Sequence, residues 1–192
     1  MIRTRELDRQ EFVANKPDRC YFCKKELFTR LKKMAAGSKL DIVADASNIS
    51  DKKDFRPGAK AKNELRVRSP LQEAGFTKND IRQASKEMGL PTWDKPSLAC
   101  LASRVPYGTR ISPTDLGRIN KSENFIRSLG FKQVRVRHYG DMARIEVEKR
   151  DISSLSAKYA SRVARHLKRL GYKYITIDLE GYRTGSLNEA IK

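Results

Sequence analysis

The 192-residue sequence predicts an α/β protein in two parts, residues 1–109 and 110–192. In the first part, helical and extended patterns alternate, which is typical of a parallel sheet covered by helices. In the second part, a stretch of period-two alternation lies between two helical patterns, which indicates a small α+β domain. A hydrophobic content of 39% is enough for a packed core.

The first strong helical pattern begins at Pro17-Asp18 and ends at Gly37. Asp18 is expected to cap this helix, since apolar residues recur behind it at helical spacing. Cys20 and Cys23 therefore lie in its first turn. At that end the helix dipole lowers the pKa of a thiol and favours thiolate ligands.

Two short strands and two further helices are predicted next. Residues 40–46 read as a strand, a helix ends near Leu65, and a second extended piece lies around 67–71. Thr77 and Asp80 form a capping box that starts the last helix. Two strands are too few to complete a parallel layer beneath three helices, so we expect the rest of the sheet on an upstream segment or a partner chain.

A long loop, residues 90–111, leads into the second part, and loops of this length are usually functional or disordered. Its cysteine, tryptophan and arginine favour the functional interpretation. Ser112 then caps a helix that has proline at its first position. A hairpin at 133–148, a helix over about 154–170 and a strand at 173–179 complete the predicted order.

Lysine and arginine number 41 against 23 aspartates and glutamates, a formal charge of +18. Such a charge attracts polyanions, nucleotides or phosphorylated metabolites. Because the basic residues are spread along the chain, a solvated surface is favoured over nucleic-acid binding, and an RNA-binding or tRNA-thiolation module is kept as an alternative. With no apolar stretch of membrane-spanning length and no secretory signal, we expect a cytoplasmic protein without a membrane partner, in which thiols stay reduced.

The three cysteines form a Cys-x-x-Cys pair, Cys20 and Cys23, and a distant single, Cys100. Together they can supply three thiolates to one metal or iron–sulfur centre, whereas three is an awkward number for a disulfide framework. The pair by itself is equally compatible with a helix that carries incidental thiols.

Four blocks in order, residues 18–28, 44–48 with 54–58, 90–108 and 134–147, carry a resemblance to a known family. They include the strings DRCYFCKKELF, ADASN and LPTWDKPSLACLASRVPYG. These blocks resemble the LarE family of ATP-dependent sulfur transferases, of the PP-loop ATP pyrophosphatase superfamily. The resemblance implies an incomplete PP-loop layer, adenine nucleotide alpha hydrolase-like, followed by a small α+β domain for substrate binding and oligomerisation.

The resemblance implies sulfur insertion into a carboxylate of a pyridinium dicarboxylate mononucleotide, toward the nickel-pincer nucleotide cofactor. ATP and Mg²⁺ activate the carboxylate, since adenylation makes AMP the leaving group and a thiolate or sulfide then attacks. Two sulfur sources stay open. Either Cys20, Cys23 and Cys100 hold a [4Fe-4S] cluster that carries sulfide, which the three-cysteine pattern favours, or Cys100 gives up its own sulfur.

The resemblance also implies contacts to the substrate and to ATP. Ser103 and Arg104 are expected to hold the substrate's phosphate, because a hydroxyl and a guanidinium both donate to phosphate oxygens. Glu123 is predicted to bind ribose hydroxyls and Arg135 the phosphate, although they and Arg137 would also fit an ordinary solvated face. The loop expected to face ATP and Mg²⁺ contributes Asp45, Ser47, Asn48 and Asp54.

The family's PP-loop signature, Ser-Gly-Gly-x-Asp-Ser, is missing from the sequence. In the family this loop wraps the ATP pyrophosphate in backbone amides. We expect the corresponding segment to be encoded on another chain or lost, and this chain to be unable to hydrolyse ATP alone. A homo-oligomer is expected as well, and an inactive truncated fragment is the remaining alternative.

Overall fold

Two units make up the chain in the computed structural model, which describes residues 2, 4–53, 56–95 and 99–191. Unit 1 spans Met1–Lys95 and unit 2 spans Pro96–Lys192. The division therefore lies earlier in the chain than the expected boundary near Thr109. The physical reason is that Arg104, which precedes that boundary, is bound by a buried ion pair to Glu123 of unit 2.

Unit 1 is built from helices. The predicted helix beginning after Pro17-Asp18 and ending at Gly37 is confirmed, but the Asp18 side chain makes no capping hydrogen bond. The predicted capping box is confirmed, since Asp80 N donates to Thr77 Oγ1 and Thr77 N donates to the Asp80 carboxylate. The helices are α1 (Gln10–Val13), α2 (Arg19–Gly37), α3 (Gly58–Glu64), α4 (Pro70–Glu73) and α5 (Lys78–Glu87).

The two strands predicted for unit 1 shrink to one isolated parallel bridge between Ala44 and Arg68. Arg68 N donates to Val43 O at 3.0 Å, and Asp45 N donates to Arg68 O at 2.8 Å. The predicted parallel direction is confirmed, whereas the predicted strand lengths are wrong for the described residues. Pro70 starts α4 two residues after the bridge, and an extended segment with one short partner has too few ladder bonds to persist.

Unit 2 has the predicted order of helix, hairpin, helix and strand. The sheet order is β1-β2-β3; β1 runs antiparallel to β2, with Val136 opposite Ile145, and β3 runs parallel to β2. The predicted Ser112 cap is confirmed, since Asp115 N donates to Ser112 Oγ at 3.0 Å. The elements are α6 (Pro113–Ser128), β1 (Val134–Tyr139), β2 (Met142–Val147), α7 (Ile152–Ser154), a π-helical turn (Leu155–Tyr159), α8 (Ala160–Arg169) and β3 (Tyr174–Ile177).

The core of unit 2 lies between the sheet and the two long helices. One face of β1 and β2 packs against α6 and α8, and burial of these apolar side chains drives the packing. The buried residues of this core include Ile126, Val134, Val136, Ile145, Val147, Val163 and Leu167. Among the described residues, no helix combines the length and apolar character needed to cross a membrane.

His138, to which the sequence assigns no chemistry, lies buried in unit 2, with Nδ1 3.2 Å from the Tyr172 hydroxyl and Nε2 3.4 Å from Asp115. Burial lowers its pKa below the usual 6.5, the Asp115 charge opposes that shift, and the Arg118 charge adds to it. Because the unfolded chain binds the proton more readily than the folded chain, the free energy of unfolding should fall as the pH drops through the unfolded pKa.

We therefore expect unit 2 to lose stability between about pH 7 and pH 5.5, and the His138→Gln variant to lose less over the same interval. Urea unfolding at each pH measures both slopes. His166 is present in both proteins, so the difference between the slopes isolates His138. Equal slopes would show that His138 titrates alike in the folded and unfolded chains.

Candidate functional site

Cys100 opens a short 3₁₀ turn, Leu101–Arg104, that lies ahead of the first helix of unit 2. The cysteine is exposed and in no disulfide. Ser103 closes the turn, because its backbone N and its hydroxyl both donate to Cys100 O, at 3.0 and 2.8 Å. An accessible thiol is thus presented at the start of a turn whose backbone is hydrogen-bonded.

Arg104 anchors this turn to α6 through a buried, bidentate ion pair. Its Nε and Nη2 donate to the two carboxylate oxygens of Glu123 at 2.7 and 3.0 Å, and both side chains are 1% exposed. Its Nη1 donates to the carbonyls of Ala99 and Cys100 at 2.9 and 3.0 Å and to Ser103 Oγ at 3.0 Å. Arg104 therefore joins the backbone around Cys100 to the core of unit 2.

Glu123 has all of its acceptor positions engaged. Besides Arg104, its carboxylate accepts from the backbone N of Val136 at 3.0 Å and from Arg127 Nη2 at 2.6 Å. Burial by itself raises the pKa of this carboxyl, but the bonds and charge of Arg104, the Val136 amide and Arg127 outweigh burial and lower it. Glu123 is thus a buried carboxylate that stays ionised.

A second buried ion pair holds the same turn from the sheet. Arg137 donates through Nε and Nη2 to the two oxygens of Glu146 at 2.8 and 2.9 Å, and through Nη1 to Ser103 O at 2.7 Å. Arg137 Nη2 also donates to Ser186 Oγ at 2.7 Å. The Cys100 turn is therefore fastened at Arg104 by a helix and at Ser103 by a strand.

Arg135 lies on the same face of β1 as Arg137 and is 3% exposed. Its Nη1 donates to Val134 O at 2.9 Å, and its guanidinium lies 5.3 Å from the centre of the Tyr182 ring. Burial lowers its pKa, and the charge of Arg104 lowers it further. Two guanidinium groups within mutual electrostatic reach make this part of unit 2 attractive to an anion.

The structure brings together the four residues predicted to contact substrate: Ser103, Arg104, Glu123 and Arg135. The alternative that Glu123, Arg135 and Arg137 form a solvated face is wrong, because all three are buried. Glu146 has no predicted role, although the hairpin places it on the strand that pairs with the strand of Arg137. In the observed register Arg137 faces Arg144, so Glu146 lies two positions along β2 on the same face.

The cysteine pair lies at the start of α2 in unit 1, as predicted, with both residues partly buried. The first turn of α2 packs closely on the start of α3. A Cβ added to Gly58 would stand 2.8 Å from Lys24 Cγ and 3.3 Å from Cys20 O. The cysteine turn is therefore backed by a neighbouring helix that needs glycine at this contact.

The predicted ligands of a cluster are divided between the units, the pair in unit 1 and Cys100 in unit 2. Among the described residues, no three His, Cys, Asp or Glu side chains come together as metal ligands. The donor set itself suits an iron–sulfur cluster, because all three cysteines are outside disulfides and thiolates are the usual ligands of such clusters.

The loop predicted to face ATP lies in unit 1 beside the parallel bridge. Asp45 accepts from Ser47 N at 3.1 Å, from Ser47 Oγ at 2.7 Å and from Ser69 Oγ at 2.6 Å, and Lys62 donates to that Ser69 hydroxyl at 2.8 Å. Burial raises the pKa of Asp45, but these hydroxyls, the Ser47 amide and the Lys62 charge together lower it. Asp54, the fourth predicted residue, lies outside the described residues.

A pocket of about 290 Å³ opens beside this loop within unit 1. Asn48 lines it, and its Oδ1 is buried without a hydrogen-bond partner among the described residues. The other polar and aromatic residues of the wall include Lys78, Arg82, Trp93 and Lys95. The cationic side chains of this wall, the Trp93 indole and the Asn48 Oδ1 atom are groups that can bind an anionic ring containing nitrogen.

Comparison with curated proteins finds similarity along most of the chain. It is 39% identical over 192 residues to an uncharacterised protein of Synechocystis sp., 72% of which it spans. It is 40% identical over 177 residues, 92% of the chain, to the pyridinium-3,5-bisthiocarboxylic acid mononucleotide synthase of Lactiplantibacillus plantarum. It is 34% identical over 174 residues, 91% of the chain, to an uncharacterised protein of Methanocaldococcus jannaschii, 68% of which it spans. The chain spans 64% of the length of the synthase. No protein-family model matches the chain.

Proposed function

Because this chain belongs to the LarE family of ATP-dependent sulfur transferases, we propose that it supplies the sulfur-donating and substrate-binding part of such an enzyme. The observation that carries the proposal is the exposed thiol of Cys100, on a turn that two buried ion pairs hold in place. A nucleophile that must meet one carbon atom benefits from a fixed backbone, since orientation supplies a large share of a rate enhancement.

The proposed substrate is a pyridinium dicarboxylate mononucleotide whose carboxylate has been adenylated. A sulfur nucleophile attacks the acyl carbon, the bond from that carbon to the AMP oxygen breaks, and AMP leaves with the electron pair. One carboxyl oxygen is thereby replaced by sulfur. The product serves the nickel-pincer nucleotide cofactor, as the resemblance implies.

The substrate's phosphate is proposed to meet Ser103, Arg104 and Arg135. The Ser103 hydroxyl is partly exposed and can donate outward in place of its bond to Cys100 O. The Arg104 side chain is 1% exposed and each of its three nitrogen atoms donates a hydrogen bond, so we propose that phosphate binds it by displacing the Nη1 contacts to the carbonyls of Ala99 and Cys100. Phosphate binding at Arg104 would therefore shift the backbone that carries the thiol. To bind ribose hydroxyls, Glu123 would likewise have to give up one of the hydrogen bonds that its carboxylate accepts from Arg104, Arg127 or the Val136 amide.

For the sulfur source we propose a [4Fe-4S] cluster with Cys20, Cys23 and Cys100 as ligands. Three thiols outside disulfides, two of them at the start of one helix, support this donor set. When bound, the cluster would supply sulfide for the transfer. In the alternative, the Cys100 thiolate attacks the acyl carbon and AMP leaves; loss of the Cys100 Cα proton then breaks the Cβ–Sγ bond, which releases the thiocarboxylate and leaves dehydroalanine at position 100.

Anaerobic reconstitution with iron and sulfide tests the cluster. We expect the wild type to take up iron and to gain a visible absorption band that is lost in Cys20→Ala. Cys20 is partly buried, so urea unfolding of the variant must first show that α2 is intact. If the wild type binds no iron, the cluster is excluded and donation by Cys100 remains.

The ATP-dependent step is proposed to need a PP-loop that this sequence does not contain. The loop around Asp45, Ser47 and Asn48, with Asp54, would then contribute one wall of the ATP and Mg²⁺ site, and a PP-loop-bearing segment outside this sequence would contribute the rest. The lowered pKa of Asp45 supports a role beside a cation, because the carboxylate stays charged. We also propose that the working protein is a homo-oligomer.

A further inference from the structure

The helix α8 and its flanks carry positive charge without any compensating negative charge. Between Ile152 and Leu170 the sequence has five lysines and arginines and no aspartate or glutamate. Elsewhere in unit 2, basic residues are commonly paired, as Lys173 is with Asp141 and Arg150 with Glu148, both at 2.7 Å. The run therefore differs from the rest of the unit in its local charge balance.

Four of these cations form one exposed line, which we call the basic stripe: Lys158, Arg162, Arg165 and Arg169. The three arginines follow one another at three and four residues on α8, so neighbours lie about 4.5 and 6 Å apart along the helix axis. Lys158 continues the line into the π-helical turn. No carboxylate of the described residues forms an ion pair with any of the four.

We propose that the basic stripe is a binding surface for nucleic acid, through its phosphate backbone. A phosphodiester chain presents regularly spaced negative groups, and a line of cations can meet several of them at once. Three of the four residues are arginines, whose planar fork donates two hydrogen bonds to a phosphate. This surface belongs to unit 2 alone and does not depend on the proposed sulfur transfer.

Other occupants fit the stripe less well. An anionic membrane would need an apolar helix face to insert, but Val163 and Leu167 of α8 are buried in the core. A second copy of this chain carries a net charge of +18, so we expect contacts between copies to form away from the stripe. A folded acidic protein would need apolar anchors within the contact, and the exposed neighbours on this helix are small, Ala160 and Ser161.

The aromatic contacts beside the stripe hold part of it in position. Phe125 of α6 stacks on His166 at 3.8 Å between ring centres, and the Arg162 guanidinium lies 5.8 Å from the same phenyl ring. Lys158 lies 5.3 Å from the ring of Tyr159. Side chains ordered in this way lose less conformational entropy when they bind phosphates.

The test is fluorescence anisotropy with a labelled oligouridylate of about 20 nucleotides, titrated with the full chain at several salt concentrations. The stripe variant is Arg165→Gln/Arg169→Gln. The matched control is Lys149→Gln/Lys168→Gln, which removes the same charge from exposed positions off the stripe, one of them on the same helix. Glutamine keeps helix propensity, so far-ultraviolet circular dichroism should be unchanged in both.

We expect the stripe variant to bind about tenfold more weakly near 0.1 M salt and its log–log salt slope to flatten by about 1.4, because two phosphate contacts are lost. The control should change affinity much less. Equal losses in both variants would assign the binding to diffuse net charge and overturn the stripe. If the wild type does not bind the oligouridylate, the nucleic-acid assignment is overturned. It is also overturned if polyglutamate or phosphatidylserine vesicles, at the same total charge, displace the labelled oligouridylate as well as unlabelled oligouridylate does.

Discussion

Replacing Cys100 by serine should abolish sulfur transfer while leaving the fold intact. The thiol is exposed, so its loss should change the free energy of unfolding by no more than about 0.5 kcal/mol. Both proposed sulfur sources need this thiol, either as a ligand or as the donor. The measurement is thiocarboxylate formation from a preformed acyl adenylate of the pyridinium mononucleotide, which bypasses the ATP-dependent step.

The same assay with Cys20→Ala separates the two sulfur sources. If a cluster carries the sulfide, Cys20→Ala is also inactive and the mass of the Cys100 peptide is unchanged after turnover. If Cys100 donates its own sulfur, Cys20→Ala stays active and the Cys100 peptide of the wild type loses the mass of H₂S. Product formation by Cys100→Ser at the wild-type rate would contradict both sources and the proposed function.

Glu123→Gln should destabilise unit 2 by about 3–5 kcal/mol, the usual result of removing one partner from a buried ion pair. The substitution preserves side-chain size but leaves the Arg104 and Arg127 guanidinium groups without their carboxylate, and Arg104 is fully buried. Urea unfolding followed by circular dichroism measures the loss.

Glu180→Gln is the matched control, because Glu180 pairs with Arg183 at an exposed position. There the same substitution should cost at most about 1 kcal/mol. The Arg104→Met/Glu123→Leu double variant should recover much of the stability that Glu123→Gln loses, since no buried charge is then left unpaired. A loss at Glu123 as small as that at Glu180 would show that the ion pair contributes little.

Loss of the Glu123 charge should also loosen the turn that carries the thiol. Arg104 holds the carbonyls of Ala99 and Cys100 only while Glu123 fixes its guanidinium. We therefore expect Cys100 to react faster with a thiol reagent in Glu123→Gln than in the wild type, under conditions where both are folded.

Local signals in the sequence were sufficient for most of the secondary structure. The capping residues Thr77 and Ser112 were visible as short-range patterns, and the hairpin around Gly140 followed from its period-two alternation. Such elements are determined by residues a few positions apart, so the sequence shows them directly. The strands predicted in unit 1 are reduced to one bridge, because a strand persists only where its partners are present.

The sequence by itself determined the charge, the three cysteines, the capped helices and the hairpin, and the family to which the chain belongs. Only the tertiary structure decided that Glu123, Arg135 and Arg137 are buried and that Arg104 and Arg137 hold the Cys100 turn from a helix and a strand. These contacts join residues far apart in the sequence, and a charged residue on a strand gives no local sign of whether its face is solvated or covered. Burial and pairing of such side chains are decided when distant segments pack together.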